Sequence, residues 1–411
     1  MIETVNTNTS DSNSKAIIIM DNVIIGNNHL VVNSSIINIA QNLLNESGSG
    51  QILFYGESRH METLATLADT EKDISLQFNS IEVTQPHFNK VLRIISWGKK
   101  LYKDAVCLKQ IVKEADRIKP RFFIVSTMIP LNIYRFMSIM NSHKKQNFLM
   151  FLHGELEFIF KKKPTTGQRI KGFFIEKAIQ KAGPNVRFIV LSDYIKKELV
   201  RKLSLDSRQI ISINHPVLQY TRKNIQLSDP IVFAHLGVAN KRKNSKLIFP
   251  LADAVQESNY SENARFAIIG RIEEQEIQIA SDHVDVMSKN KQAISQEAYI
   301  SHIEAAHYSL IFLSGDEYVY RISGSLLDSV QFQIPIIALE HQSVVELFEK
   351  GGDIGFLCKD FDEMKQVVIK LSQKDPLCTD RYATQIINLK KLSEKFYSKN
   401  ASEIISEATK S

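Results

Sequence analysis

Short runs of β-branched and aromatic residues recur along almost the whole chain, each followed by a stretch whose apolar residues keep helical spacing. This alternation constrains the fold more than any other feature. Strands that are apolar on both faces and separated by helix-length segments belong in a parallel sheet covered by helices on both sides. The first strand lies within residues 15–21 (KAIIIMD). Further strands are predicted at 51–56 (QILFYG), 74–83 (ISLQFNSIEV), 122–127 (FFIVST), 148–154 (FLMFLHG), 187–192 (RFIVLS) and 209–214 (QIISIN). Helical spacing runs over 30–44 and, on a basic amphipathic segment, over about 89–115.

The pattern stops at Pro216, crosses a polar unpatterned stretch (LQYTRKNIQLSDP), and then restarts. Strands follow at 231–237 (IVFAHLG), 265–270 (RFAIIG), 308–314 (YSLIFLS), 334–339 (IPIIAL) and 355–360 (GFLCKD), with a helix from about Ser245. The expected fold class is therefore α/β, with two Rossmann-like doubly wound domains facing across a cleft. The expected division is a polar tail over 1–15, a first domain over 16–217, a linker over 218–230, a second domain over 231–380 and a terminal helical segment over 381–411. A length of 411 residues suits two cores better than one.

Composition excludes several classes. With 44% hydrophobic and 23% charged residues the chain is a globular type. No apolar run is long enough to cross a bilayer, and the polar first residues lack the features of a secretory signal. A cytoplasmic location is expected. Cys107, Cys358 and Cys378 are scattered without metal-ligand or disulfide spacing, which fits a reducing compartment and no metal site. The net charge of +6 allows phosphates or lipid head groups as partners and does not call for nucleic acid.

Three segments carry chemistry. Ser323, Gly324 and Ser325 open a predicted helix after the 308–314 strand. Small residues there leave amides and the positive helix end available to a phosphate, with Arg321 placed to fork onto the same oxygens. Behind the first strand of the second half, Gly237 is followed by the basic run Lys241, Arg242 and Lys243. In the first half, His153, Gly154, Glu155, Leu156 and Glu157 follow a strand directly, at the carboxyl end where ligands of such sheets bind. Basic amphipathic faces form a fourth signal. Lys99, Lys100, Lys103, Lys109 and Lys113 share a helix with Trp97, Leu101, Val106 and Ile111, and 161–181 repeats the theme. Such faces suit peripheral contact with an anionic membrane.

The order of loop acid, small-residue helix start, helix acid and Pro335-Ile-Ile-Ala338 resembles the donor segment of GT-B glycosyltransferases, particularly glycosyltransferase family 4 and its relatives. There the segment reads roughly Glu-Gly-Phe-Gly-x-Glu-Ala-x-Gly-x-Pro-Val-Ile-Ala. The resemblance implies that Asp328, on the second acid, binds the nucleotide ribose, and that the loop with Ser323, Gly324, Ser325 and Arg321 binds the diphosphate. The first acid of the pattern falls on Tyr320; Asp316 and Glu317 stand upstream, and Glu317 is the donor-side candidate. The basic run resembles the family's diphosphate cations, best matched by Lys243 with Arg242 beside it, after Gly237. Gly270 and Arg271 resemble the end of the next family strand, and Tyr299 the segment packed on the base.

By the same resemblance, His153 contacts sugar and, if the reaction inverts, Glu155 or Glu157 deprotonates an acceptor hydroxyl, while Gly26 and His29 line the acceptor loop. The terminal segment resembles the family's helix that crosses back onto the first domain. The implied activity is transfer of a sugar from a UDP- or GDP-sugar to a hydroxyl of a glycan, lipid-linked or protein acceptor, in bacterial polysaccharide, lipid-linked glycan or glycoconjugate assembly. No cofactor and no metal are implied. Two alternatives share the frame: a nucleotide-sugar epimerase, and a non-catalytic GT-B partner subunit.

Overall fold

The computed structural model describes residues 15–26, 29–45, 48–67, 73–83, 90–223, 226–273, 281–288 and 294–410, so most of the expected polar tail and two residues of the expected linker lie outside the described residues. The chain forms two compact units, Met1–Pro216 with Ser398–Ser411, and Val217–Tyr397.

Seven strands are described in the first unit: β1 (Ala16–Asp21), β2 (Gly50–Gly56), β3 (Ile74–Ser80), β4 (Phe122–Thr127), β5 (Phe148–Phe151), β6 (Val186–Val190) and β7 (Ile210–Ser212). They are parallel and lie in the order β3-β2-β1-β4-β5-β6-β7. Both central strands, β1 and β4, are buried throughout. Their continuous apolar sequences follow from that double burial, at roughly 1.5–3 kcal/mol per large side chain. Ile18 pairs with Leu53 on one side and Phe123 on the other. The chain order reverses between β1 and β4, so the ends of these two strands mark the ligand crevice of the unit.

The second unit repeats the plan with β8 (Ile231–Leu236), β9 (Ala264–Arg271), β10 (Val284–Ser288), β11 (Tyr308–Ile311), β12 (Ile336–Leu339) and β13 (Gly355–Cys358). Their order is β10-β9-β8-β11-β12-β13, again parallel, with the switch between β8 and β11. Phe233 stacks on Phe266 and Tyr308 at 5.3 and 5.9 Å between ring centroids, tying the three central strands together. Strand β10 was not expected. It is an edge strand with one buried residue, Val284, so its sequence carries little apolar signal.

Two further expectations need correction. Residues 381–411 do not behave as one returning segment. The Tyr382–Glu394 helix belongs to the second unit, where Leu389 and Leu392 enter its core. Only the Ser398–Lys410 helix joins the first unit, packing on the Leu30–Asn45 helix with Ser398 Oγ donating to Ser35 O. Lys100 is not part of a solvated basic face. It is buried, paired with Asp104 at 3.5 Å and donating to Asn22 O. Ile111 is likewise core.

Candidate functional site

In the second unit the sequence-marked residues converge at the carboxyl end of β8. Gly237 follows that strand with φ +76°, a conformation glycine adopts without cost. Gly270, at φ +142°, lies so close that a Cβ there would meet Gly237 O at 2.1 Å. Two glycines are therefore required where the loops after β8 and at the end of β9 touch. Asn240 caps a 3-10 turn over Lys241–Lys243 by accepting from Lys243 N, and Asn244 takes a left-handed conformation that turns the chain into the Ile248–Gln256 helix.

That turn points Lys243 inward. Its Nζ donates to Ser325 Oγ at 2.7 Å, and Ser325 Oγ donates onward to Leu236 O. Burial lowers the Lys243 ammonium to about 8, with Asp328 partly restoring it and Arg321 opposing. Tyr299, on the Gln296–Ala305 helix, donates its hydroxyl to Asp328 Oδ2 at 2.6 Å. Burial raises the Asp328 carboxyl, against the stabilising Tyr299 hydrogen bond and the Lys243 charge. A Cβ built on Gly237 would stand 3.7 Å from Lys243 Nζ and 3.9 Å from Tyr299 Oη. Glycine thus leaves open the space these side chains border.

The Gly324–Gln331 helix starts beside this space. Its first hydrogen bonds run from Leu326 N and Leu327 N to Ser323 O, ahead of which lie the amides of Gly324 and Ser325. Ser323 occupies the N-cap position without capping, and its buried Oγ has no partner among the described residues. A buried lysine, a helix start and an unpartnered hydroxyl make a cradle for an anion, with a carboxylate one turn along the helix.

Arg242 and Arg321 turn to an aromatic ring rather than to Ser325. They flank the Tyr318 ring, at 5.6 and 4.5 Å from its centroid, and Arg242 Nε donates to Glu317 at 3.0 Å. Tyr318 holds φ +62°, a costly conformation for a bulky residue. Arg271 is exposed at the end of β9. Sequence reasoning missed Tyr318 as an aromatic platform between two guanidiniums. It also missed His235, whose buried ring bonds Ser245 Oγ at 3.0 Å and is held near 3 by burial and the Lys243 charge. A histidine inside an otherwise apolar strand was the available signal.

In the first unit the chemistry gathers at the ends of β1, β4, β5 and β7. His153 Nε2 donates to Ser126 O at 2.9 Å, and its ring meets the His29 ring edge-on at 6.2 Å. Burial, with repulsion from His215 and His29, takes His153 down to about 3. His215, beyond β7, is lowered to about 4, chiefly by burial. Glu155 accepts from His153 N at 2.7 Å, and burial raises its carboxyl to about 7 despite the amides bonded to it. Glu157 opens the next short helix, half-buried.

Asp21 organises this end. Its Oδ1 accepts from Val23 N and Ile24 N, and its Oδ2 from Asn33 Nδ2 and Ser126 Oγ. Asn33 Nδ2 also reaches His60, whose Nδ1 bonds Gly26 O at 2.6 Å. Gly26 is thus held by His60 and Glu57, and His29 rather than Gly26 approaches His153. Asp21, His60 and His215 were missed by sequence reasoning. An acid ending an apolar strand was legible in principle; the His60–Asn33 contact, between two different helices, was not.

Among the described residues no group of three or more His, Cys, Asp or Glu is placed to hold a metal ion, and no helix is long and apolar enough to cross a membrane.

No protein-family model matches the chain, and no curated protein matches it in sequence. Solved structures do match in fold. The chain is similar to the Staphylococcus aureus TarM G117R mutant, a complex with fondaparinux, α-GlcNAc-glycerol and UDP. The two are 12% identical over 97% of this chain and 100% of that one, with a TM-score of 0.67. A glycosyltransferase from Rickettsia africae is 13% identical, covering 97% and 99%, with a TM-score of 0.59. WaaG, a glycosyltransferase involved in lipopolysaccharide biosynthesis, is 11% identical over 95% and 99%, with a TM-score of 0.57. The fold is that of the GT-B glycosyltransferases.

Proposed function

We propose that this protein is a glycosyltransferase that binds a nucleotide-sugar donor on its second unit and a hydroxyl acceptor through its first. The observation that carries the reading is the convergence of Gly237, Lys243, Tyr299, Ser325 and Asp328 beside the start of the Gly324–Gln331 helix. In this reading Lys243, the helix amides and Ser323 receive the diphosphate. The carboxylate of Asp328 accepts hydrogen bonds from the ribose hydroxyls, with Oδ1 available beside the Tyr299 contact. Arg242, Arg321 and Glu317 border the donor loop around Tyr318, while Gly270 lets the end of β9 approach Gly237 and Arg271 follows it as a further cation on the donor side.

The acceptor hydroxyl attacks the anomeric carbon, the bond from that carbon to the diphosphate oxygen breaks, and the diphosphate leaves with its pair of electrons. Lys243 and the helix end stabilise the charge that develops on it; one such contact is worth about 3 kcal/mol. Glu155, poised near neutrality, takes the acceptor proton, and neutral His153 and His29 accept or donate to sugar hydroxyls. Glu157 is the second carboxyl of the cluster. The reaction needs no metal in this scheme, because fixed cations take its place.

UDP is present in the TarM complex, which makes UDP-sugars the first donors to test and GDP-sugars the second. We further infer that the acceptor is a glycan, lipid-linked or protein hydroxyl in polysaccharide or glycoconjugate assembly, reached by a cytoplasmic enzyme working peripherally at the inner membrane face. The test is a thermal-shift series with nucleoside diphosphates and their sugars. Stabilisation by one of them that disappears in Lys243→Ala and Asp328→Ala, both remaining folded, is expected. No stabilisation by any of them would overturn the donor site. Binding without turnover would favour a non-catalytic GT-B subunit, a reading consistent with Tyr320 standing where the family has its first acid.

A further inference from the structure

Ten large apolar side chains are left exposed among the described residues, and half of them lie on three neighbouring helices of the first unit. Ile95 and Tyr102 stand two turns apart on the Lys90–Ile118 helix. Tyr134 is on the Pro130–Ser142 helix, and Ile170 and Phe173 are on the Thr166–Gln180 helix. These helices pack successively against one another. Side chains bridge them on the outside as well: the Arg135 guanidinium lies 5.9 Å from the Tyr102 ring, and Tyr134 meets Phe174 at 6.4 Å. The exposed apolar groups therefore belong to one continuous face.

Its charge is one-sided. Residues 161–181 contain seven lysines and arginines and a single acid, Glu176. That surplus of six equals the formal net charge of the whole 411-residue chain, so the rest of the molecule is balanced. Arg169, Phe173 and Lys177 follow one another at helical spacing on the outer side of their helix, with Ile170 beside them, and Lys162 and Lys163 are exposed just before it. Lys99, Lys103 and Arg135 add cations on the adjoining helices, with Lys103 bonded to Glu82. The Pro130–Ser142 helix has no acid at all.

We propose that this three-helix face docks the protein on an anionic lipid surface, with Ile170 and Phe173 entering the boundary between head groups and acyl chains and the surrounding cations meeting lipid phosphates. The chemistry selects this occupant. Bare Phe and Ile side chains ringed by lysines, whose alkyl stems let the ammonium reach upward, match a surface that is negative outside and apolar just beneath. A nucleic acid would engage the cations but offer nothing to Ile170. The buried Lys100 takes no part, and the Pro130–Ser142 helix, which sequence spacing did not single out, supplies the bridge between the other two. The proposal gives a physical route for the inferred membrane-side role. Its test is independent of that reading, because vesicle binding is measured with no donor or acceptor present.

The test is flotation of the full-length protein with vesicles of phosphatidylcholine alone or mixed with phosphatidylglycerol. Binding is expected only to the anionic vesicles, weakening as salt is raised. Ile170→Ser with Phe173→Ser, which leaves the charge unchanged, should weaken binding roughly tenfold or more. Arg169→Glu with Lys177→Glu should weaken it at least as much, and Leu377→Ser, at the 81%-exposed apolar residue of the second unit, should not change it. Melting temperatures and nucleotide binding should be unaltered in all variants, since the changed side chains are exposed. Equal binding to both vesicle types would overturn the proposal. So would no binding to either, or serine variants that bind like the parent while RNA competes the protein off. Loss of nucleotide binding with vesicle binding intact would count against the donor site alone.

Discussion

Lys243→Met separates a lysine kept for a ligand from one kept for the fold. Burial lowers the Lys243 ammonium from 10.5 to about 8, an effect that already includes the attraction of Asp328. By linkage, holding that charge in the folded state at neutral pH costs on the order of 3 kcal/mol. The sign follows from the lowered folded value: the penalty is complete below about pH 8, shrinks as pH rises from there toward 10.5, and is absent above. Methionine fills a similar volume and removes the charge. It also loses the bond to Ser325 Oγ at 2.7 Å, worth about 1 kcal/mol, while Ser325 keeps its bond to Leu236 O. The ligand-free variant should therefore be more stable at pH 7 by about 1–2 kcal/mol, a rise of roughly 5 °C in melting temperature. The difference should close as pH approaches 10. Affinity for UDP should fall on the order of 10- to 100-fold, the worth of a charge-assisted contact. Scanning fluorimetry across pH and calorimetric titration with UDP read both quantities. A variant that is less stable at every pH and binds UDP normally would refute the reasoning, making Lys243 a counter-charge to Asp328.

With Glu155 raised to about 7 by burial and acting as base, kcat/KM should climb as pH rises through about 7. Glu155→Gln should remove that limb and lower turnover by roughly a hundredfold or more, and a pH–rate profile unchanged in the variant would dismiss the assignment. Asp328→Ala should weaken UDP binding at least about tenfold with little loss of stability, because its carboxyl is disfavoured by burial. Tyr299→Phe, which keeps the carboxylate, should cost less; calorimetry of the two variants gives the order. Gly270→Ala places a methyl 2.1 Å from Gly237 O at a φ of +142° and should lower stability by at least about 2 kcal/mol, seen as a shifted urea midpoint.

Much of the architecture was legible because buried parallel strands must be apolar on both faces. AIIIM and FFIVST announce β1 and β4 for that reason, and a helix start at Ser323 to Ser325 follows from small residues after a strand. Strand β10 escaped because an edge strand with one buried residue has nothing to bury in sequence. The division of the terminal segment at Tyr397 escaped because two amphipathic helices with similar patterns do not say which core each one joins.

Sequence alone determined the buried strands, where the second sheet begins, and which residue types stand at strand ends, since these follow from local periodicity and turn chemistry. Only the tertiary structure decided how those residues are used. It turned Lys243 inward to Ser325 while Arg242, its neighbour, went to Glu317, and it joined Tyr299 to Asp328 from 29 residues away. It buried Lys100 against Asp104 and left Phe173 in the open. Side-chain direction and burial depend on what the rest of the chain packs against each element, and that information resides in no single segment.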